Sequence, residues 1–113
     1  MRALVKRTAG PGFELADVAV PEIRDDEVLI KVRNAGVCGT DVHIYEWDAW
    51  AAGRCRPPFI VGHEFAGEVV KVGSLVTDVT LGDRVTAEGH IVPPLSYFSR
   101  TGQAHVDPAT KII

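Results

Sequence analysis

A cysteine and a histidine–glutamate pair are the side chains of this sequence whose types are best suited to chemistry. Cys38 lies within the segment 37–43, and His63 and Glu64 follow Gly62 at the start of an apolar stretch. Thiolate, imidazole and carboxylate are ligand types that hold zinc while leaving one position free for water or substrate. Cys38, His63 and Glu64 are therefore predicted as metal ligands.

The spacing of these residues leaves other interpretations open. Cys38 and His63 are about 25 residues apart, so only the fold can bring them together. Neighbouring residues of a strand point to opposite faces, so His63 and Glu64 can bind one ion only if the backbone bends, as Gly62 permits. The alternatives are a small buried cysteine and a histidine that serves only in hydrogen bonding.

Thr40 and His43 follow Cys38 closely and are candidates for catalytic residues. Side chains three positions apart share one face of a helix. A hydroxyl and an imidazole so placed could carry a proton from a metal-bound alcohol to solvent. The alternative is that Thr40 only caps the helix and His43 lies on the surface.

His90 is a further candidate, because Glu88-Gly89-His90 follows the end of a predicted strand, where loops often carry function. An ordinary polar turn would have the same sequence. Trp47 and Trp50 are interpreted as core or pocket wall.

Short β-prone runs separated by turn signals make up most of the chain and must position these residues. The predicted strands are residues 2–7, 13–20, 28–33, 65–72 and 84–87. A helix is predicted from Thr40 or Asp41 through Ala49, and residues 50–58 are predicted as loop because of their glycine and prolines. This pattern indicates one mainly β, barrel-like domain.

Composition excludes several classes of function. The chain has 113 residues and a formal net charge of −3, with no long basic run, so nucleic acid is not an expected partner. No apolar run approaches the roughly 20 residues that span a bilayer, and no signal peptide is recognised, so we expect a cytoplasmic protein without a membrane partner. Cys38 and Cys55 are then expected as free thiols or ligands.

Several motifs in order resemble the zinc-containing medium-chain dehydrogenases. They are Gly36-Val37-Cys38-Gly39-Thr40-Asp41-Val42-His43, Gly62-His63-Glu64-Phe65-Ala66-Gly67-Glu68-Val69-Val70, Val72-Gly73 and Leu81-Gly82-Asp83-Arg84-Val85. Within that superfamily, Tyr45-Glu46-Trp47-Asp48-Ala49-Trp50 and Glu88-Gly89-His90-Ile91 resemble the threonine dehydrogenase branch. The resemblance implies a GroES-like, partly open β-barrel with one or two short helices, which is the N-terminal part of a catalytic domain.

The resemblance also implies roles for single residues. Cys38 and His63 match catalytic zinc ligands, and Glu64 matches an adjacent acid that ligates the metal or lies just beyond its ligands. Thr40 and His43 match a proton relay, and His90 matches a position that influences substrate preference. The implied reaction is oxidation of a secondary alcohol of a small molecule or amino acid, by hydride transfer to NAD.

One departure from the family lies in its structural zinc lobe, which carries four cysteines. The corresponding positions are Pro93, Ser96, Ser99 and Asp107. Structural zinc is therefore not expected, and the substitution of a metal site by packing is interpreted as engineering of the lobe.

A second departure is the absence of a nucleotide-binding domain and of any G-x-G-x-x-G motif. The chain is therefore expected to be a truncated, single GroES-like domain of residues 1–113 that neither binds NAD nor catalyses the reaction by itself. Its unpaired strand edges could support homo-oligomers. The alternatives are a metal-free folded scaffold or an oligomeric GroES-like interaction module.

Overall fold

The architecture is three small antiparallel sheets with short helices between them. A computed structural model describes residues 1–112. The strands are β1 Arg2–Lys6, β2 Glu14–Asp17, β3 Val28–Ala35, β4 Phe59–Ile60, β5 Phe65–Val72, β6 Arg84–Thr86, β7 His90–Ile91 and β8 Lys111–Ile112. The helices are α1 Gly39–Glu46, α2 Ala49–Arg54, α3 Tyr97–Arg100 and a 3₁₀ turn at Ala104–Val106.

The strand order is β2-β1-β4 in the first sheet, β3-β5-β6 in the second and β7-β8 in the third. These sheets do not close into one barrel over residues 1–112, so the predicted mainly β, partly open fold is confirmed. The first two predicted strands pair as an antiparallel β1–β2 hairpin, in which Leu4 pairs with Leu15. The predicted strand at residues 65–72 is β5, the central strand of the second sheet.

The helical segment differs from its prediction. Instead of one helix through Ala49, α1 ends at Trp47, which has the left-handed φ of 56°. Asp48 then starts α2, because its Oδ1 accepts a hydrogen bond of 3.0 Å from the Ala51 amide. The prediction of loop over residues 50–58 was therefore wrong for the part that forms α2.

A buried lysine joins the first hairpin to the end of α1. Lys6 is only 1% exposed. Its Nζ donates hydrogen bonds to the carbonyls of Gly10 and Gly12 and lies 4.9 Å from the centre of the Trp47 ring. Burial lowers the pKa of Lys6 below its ordinary value. The ammonium thus has acceptors and an aromatic face in place of water.

The described residues leave much of the second sheet uncovered. Val69 of β5 is buried, but Val32 of β3 is 52% exposed. In β3, Val28 to Ile30 are half-buried and the five residues that follow are exposed. None of the helices in residues 1–112 has the length and apolar character needed to cross a membrane.

Candidate metal centre

Pairing of β3 with β5 brings the two distant segments of the candidate site together. The ladder ends at the pair Ala35 and Phe65, and the Gly36 amide continues it with a 2.7 Å hydrogen bond to the Glu64 carbonyl. Cys38 follows β3 and His63 precedes β5, so both lie just beyond this end of the ladder. The Cys38 Sγ atom is 3.1 Å from His63 Nε2.

A third residue, Asp41, belongs to the same cluster. Its Oδ2 accepts a 2.9 Å hydrogen bond from the Cys38 amide at the start of α1. Its Oδ1 is buried without a hydrogen-bond partner and lies 3.9 Å from His63 Nδ1. Ligand atoms of Cys38, Asp41 and His63 all lie within 4.8 Å of one another, which is the only such group of three in residues 1–112.

Two of these three residues are placed to hold a zinc ion. Tetrahedral coordination, with the usual zinc–sulfur and zinc–nitrogen bond lengths, separates the two ligand atoms by about 3.6 Å, so Cys38 Sγ and His63 Nε2, at 3.1 Å, need move apart only slightly. Asp41 faces the other ring nitrogen of His63, and one ion cannot bind both nitrogens of a ring. Cys38 and His63 would therefore hold the ion, while Asp41 would orient the imidazole.

Sequence reasoning had assigned Asp41 only to the start of the helix. A signal was present, since an acid three residues after the residue that precedes a helix commonly binds its backbone. The second function of the carboxylate could not be read from that spacing. It depends on where His63 lies in the fold.

The predicted bend at Gly62 is present, with a φ of 108°. Glu64 nevertheless lies outside the cluster. Its side chain is exposed, and its Oε2 lies 2.9 Å from the point that a Cβ of Gly36 would occupy. The structure thus brings His63 to Cys38 and directs Glu64 toward the end of β3, so ligation by Glu64 stays a prediction.

A cavity of about 460 Å³ opens beside the cluster. Its lining includes Thr40, the aromatic rings of Trp50 and Phe59, and the segment from Ile60 to His63. A small alcohol or amino acid would fit within this volume. Trp50 lines this cavity, in agreement with its interpretation as core or pocket wall.

The exposed side chain of His43 on α1 contacts the carboxylate of Asp48 and the ring of Trp50. Its Nδ1 is 2.5 Å from Asp48 Oδ2, and its ring centre is 5.5 Å from that of Trp50. The hydrogen-bond partner found for His43 is thus Asp48 rather than Thr40. A relay from Thr40 to His43 stays a prediction.

Comparison with known proteins places this geometry in a family. Residues 24–111 match the family model described as the alcohol dehydrogenase GroES-like domain. The chain belongs to the GroES-like domain family of alcohol dehydrogenases. An L-threonine 3-dehydrogenase of Symbiobacterium thermophilum is 52% identical over 113 residues, which is 100% of this chain and 32% of that protein. The enzyme of the same name from Pyrococcus horikoshii is 51% identical over 99% of this chain and 32% of its own length.

Solved structures agree with this assignment. Galactitol-1-phosphate dehydrogenase from Escherichia coli superimposes with a TM-score of 0.88 at 29% identity, covering 100% of this chain and 32% of that one. Alcohol dehydrogenase from Thermus sp. ATN1 gives 0.84 at 28% identity, covering 99% and 31%. The chain therefore spans about a third of the length of the relatives it matches. The predicted resemblance to zinc-containing dehydrogenases is confirmed.

His90, for which this GroES-like family implied an influence on substrate preference, lies away from the cluster. Its Nδ1 is 2.7 Å from Glu88 Oε1, and this hydrogen bond lowers the pKa of Glu88. Both side chains are exposed, and neither lines the cavity. The role of His90 stays a prediction.

Of the four positions that the resemblance aligns with structural cysteines, Pro93, Ser96 and Ser99 are joined here by hydrogen bonds, and Asp107 bonds elsewhere. Ser99 Oγ donates to the Pro93 carbonyl, and Ser96 Oγ lies 3.1 Å from Ser99 Oγ. Asp107 is buried and accepts 2.8 Å from the Ala109 amide. These hydrogen bonds stabilise the lobe locally. The expected lack of structural zinc stays a prediction.

Asp41→Asn is expected to lower the affinity of the GroES-like domain for zinc by roughly 10- to 100-fold, because the variant loses the negative charge that faces His63. Asparagine keeps an oxygen for the Cys38 amide, so α1 should stay intact. Competition with a chelator measures the affinity, and circular dichroism checks the fold. Asp48→Asn is the matched control, and equal zinc affinity in both variants would contradict the role of Asp41.

Asp48 should give the domain an acid-sensitive component of stability. The Ala51 amide, followed by His43, lowers the pKa of Asp48 below its ordinary 3.8. The unfolded chain therefore binds the proton first as pH falls, so this stabilisation is complete above about pH 4 and is lost below it. Urea midpoints measured from pH 7 to pH 2.5 should decline less steeply below pH 4 in Asp48→Asn. Parallel curves would disprove the assignment.

Proposed function

We propose that this chain is the zinc-binding part of the catalytic domain of an NAD-linked dehydrogenase that oxidises the secondary alcohol of L-threonine. The observation that carries the proposal is the approach of Cys38 Sγ to His63 Nε2, with Asp41 behind the opposite ring nitrogen. Identity near 50% to proteins named L-threonine 3-dehydrogenase supports the choice of substrate.

Each residue near the cavity has a distinct task in this proposal. Zinc, when bound by Cys38 and His63, supplies Lewis-acid polarisation of the substrate hydroxyl. Asp41, whose Oδ1 lies 3.9 Å from His63 Nδ1, faces the ring nitrogen that does not bind the ion and would orient the ring. Thr40 lies on the cavity wall, where its hydroxyl can accept a hydrogen bond from the substrate and pass the proton outward.

The proton would leave through the outer face of α1. His43 Nδ1 shares a hydrogen bond with Asp48 Oδ2, which leaves Nε2 as the ring nitrogen that could exchange a proton with solvent. Glu64 is proposed to lie beside the metal as a ligand or as a neighbour of the ligands, and His90 to influence the choice of substrate. The hydride itself goes to NAD.

NAD is proposed to bind outside these 113 residues, since the sequence has no G-x-G-x-x-G turn. Residues 1–113 are proposed to act as one domain that by itself does not transfer hydride. A cytoplasmic location and association of copies through strand edges stay predictions.

Metal titration tests the proposal. The metal-free chain is titrated with Co²⁺, and absorption from a thiolate–cobalt bond is recorded with its stoichiometry. We expect one ion per chain, displacement by Zn²⁺ and an unchanged signal in Cys55→Ser, which removes the other thiol. A chain that binds no ion, or a signal that disappears in Cys55→Ser, would instead support the metal-free scaffold.

A further inference from the structure

The cavity beside the metal cluster carries more positive than negative charge. Arg54 and Arg56 both line it. The one acid in its lining is Asp41, whose two oxygens face the Cys38 amide and His63. An anionic group entering the cavity would therefore meet guanidinium groups that have no carboxylate partner in the same wall.

Arg54 lines the cavity, and its guanidinium has no acidic partner among the described residues. Its guanidinium carbon lies 5.1 Å from the centre of the Trp50 ring, one helical turn earlier on α2. Within residues 1–112 it forms no ion pair and no side-chain hydrogen bond. A guanidinium held over an aromatic ring keeps its N–H groups available at the edge, in the fork geometry that binds a carboxylate.

Arg56 differs from Arg54 in this respect. Its Nη1 donates to the carbonyls of Ala52 and Cys55, at 3.1 and 2.8 Å. These bonds connect Arg56 to the end of α2, where backbone carbonyls lack partners within the helix. Arg56 therefore serves the backbone, and Arg54 is the cation that remains for a ligand.

The rest of the wall would strengthen an ion pair with Arg54. Ile44, Phe59 and Val61 line the cavity together with Trp50. Arg54 itself is exposed, so these apolar side chains would shield an ion pair with a carboxylate from water only in part.

We propose that Arg54 binds the α-carboxylate of a 2-amino-3-hydroxy acid whose hydroxyl is directed toward Cys38 and His63. This inference rests on the proposed function and adds the residue that selects amino-acid alcohols over simple alcohols. Trp50 is then a positioning residue, because its ring centre lies 5.1 Å from the Arg54 guanidinium carbon and 5.5 Å from the centre of the His43 ring.

Tryptophan fluorescence of the purified chain tests Arg54 without requiring catalysis. L-Threonine and L-threonine amide, which lacks the carboxylate, are titrated into the metal-free and zinc-loaded chain. We expect the acid to bind at least about tenfold more tightly than the amide, since a hydrogen bond to a charged group contributes about 1.5–3 kcal/mol. Arg54→Gln should abolish the preference, and Arg54→Lys should retain part of it.

Arg56→Gln is the matched control and should keep the preference for the acid. Equal binding of acid and amide by the wild-type chain, no saturable response to L-threonine, or a preference that survives in Arg54→Gln would each overturn the assignment. These outcomes are independent of the cobalt titration. A chain that binds cobalt through Cys38 but shows no preference would retain the proposed function and lose only Arg54, whereas the reverse result would lose the metal site and retain the carboxylate site.

Discussion

Cys38→Ser is expected to lower the affinity of the chain for zinc by more than the roughly 100-fold that marks the upper range for residues beyond the ligands. Serine is nearly isosteric, but its hydroxyl does not ionise near neutral pH as a thiol can, and zinc favours thiolate. The variant should fold, because the Cys38 amide and not its sulfur donates to Asp41. Competition with a chelator of known affinity measures the loss.

The comparison variant for this prediction is Cys55→Ser. Cys55 lines the cavity but lies outside the cluster of three. Its zinc affinity should equal that of the wild type. A similar decline in both variants would mean that the two thiols bind the ion without a preformed site, and an unchanged affinity in Cys38→Ser would exclude Cys38 as a ligand.

Gly67→Ala is expected to reduce the free energy of unfolding by about 3 kcal/mol, at the upper end of the usual cost of overpacking. Gly67 lies in the central strand β5, between Val32 of β3 and Val85 of β6. A Cβ at this position would lie 2.6 Å from both the Lys31 carbonyl oxygen and Ile30 Cγ2. The carbonyl belongs to the neighbouring strand, so rotation of a side chain cannot relieve the contact.

Urea-induced unfolding followed by circular dichroism measures this effect. Gly53→Ala is the control, because a Cβ there would have no atom within 4 Å and α2 gains a better helix former. That variant should gain about 0.5–1 kcal/mol. Gly67→Ala should also weaken zinc binding, since His63 lies two residues before β5. Equal stability of the two alanine variants would show that β3 moves away at little cost.

The local part of the fold could be predicted from the sequence. β5 was predicted with its observed bounds, and the β1–β2 hairpin followed from glycine and proline between two β-prone runs. Strands of this kind are set by residue type and by turns, which are short-range properties. The same holds for Gly62, whose positive φ reflects the conformational freedom of glycine.

The end of α1 could not be predicted, since Val42, Tyr45 and Ala49 continue a helical pattern past it. Trp47, which ends α1 in a left-handed conformation, contacts the ammonium of Lys6 through its ring, and Lys6 is about 40 residues away in sequence. Asp41 shows the same limit. Its capping bond is local, but its second oxygen has a function only because β5 delivers His63 to it.

The ladder between β3 and β5 ends where the two candidate zinc ligands begin, and this has a consequence for chain entropy. Residues 38–63 form a loop whose two ends meet just beyond the β3–β5 ladder. This loop contains both α1 and α2. A bond shared by Cys38 and His63 through one ion would close this loop as a disulfide does, which for such a length removes about 3.5 kcal/mol of unfolded-state freedom. α1 and α2, which contribute residues to the cavity wall, would then be stabilised when the ion binds beside the cavity. Zinc binding and the stability of α1 and α2 would then be thermodynamically linked.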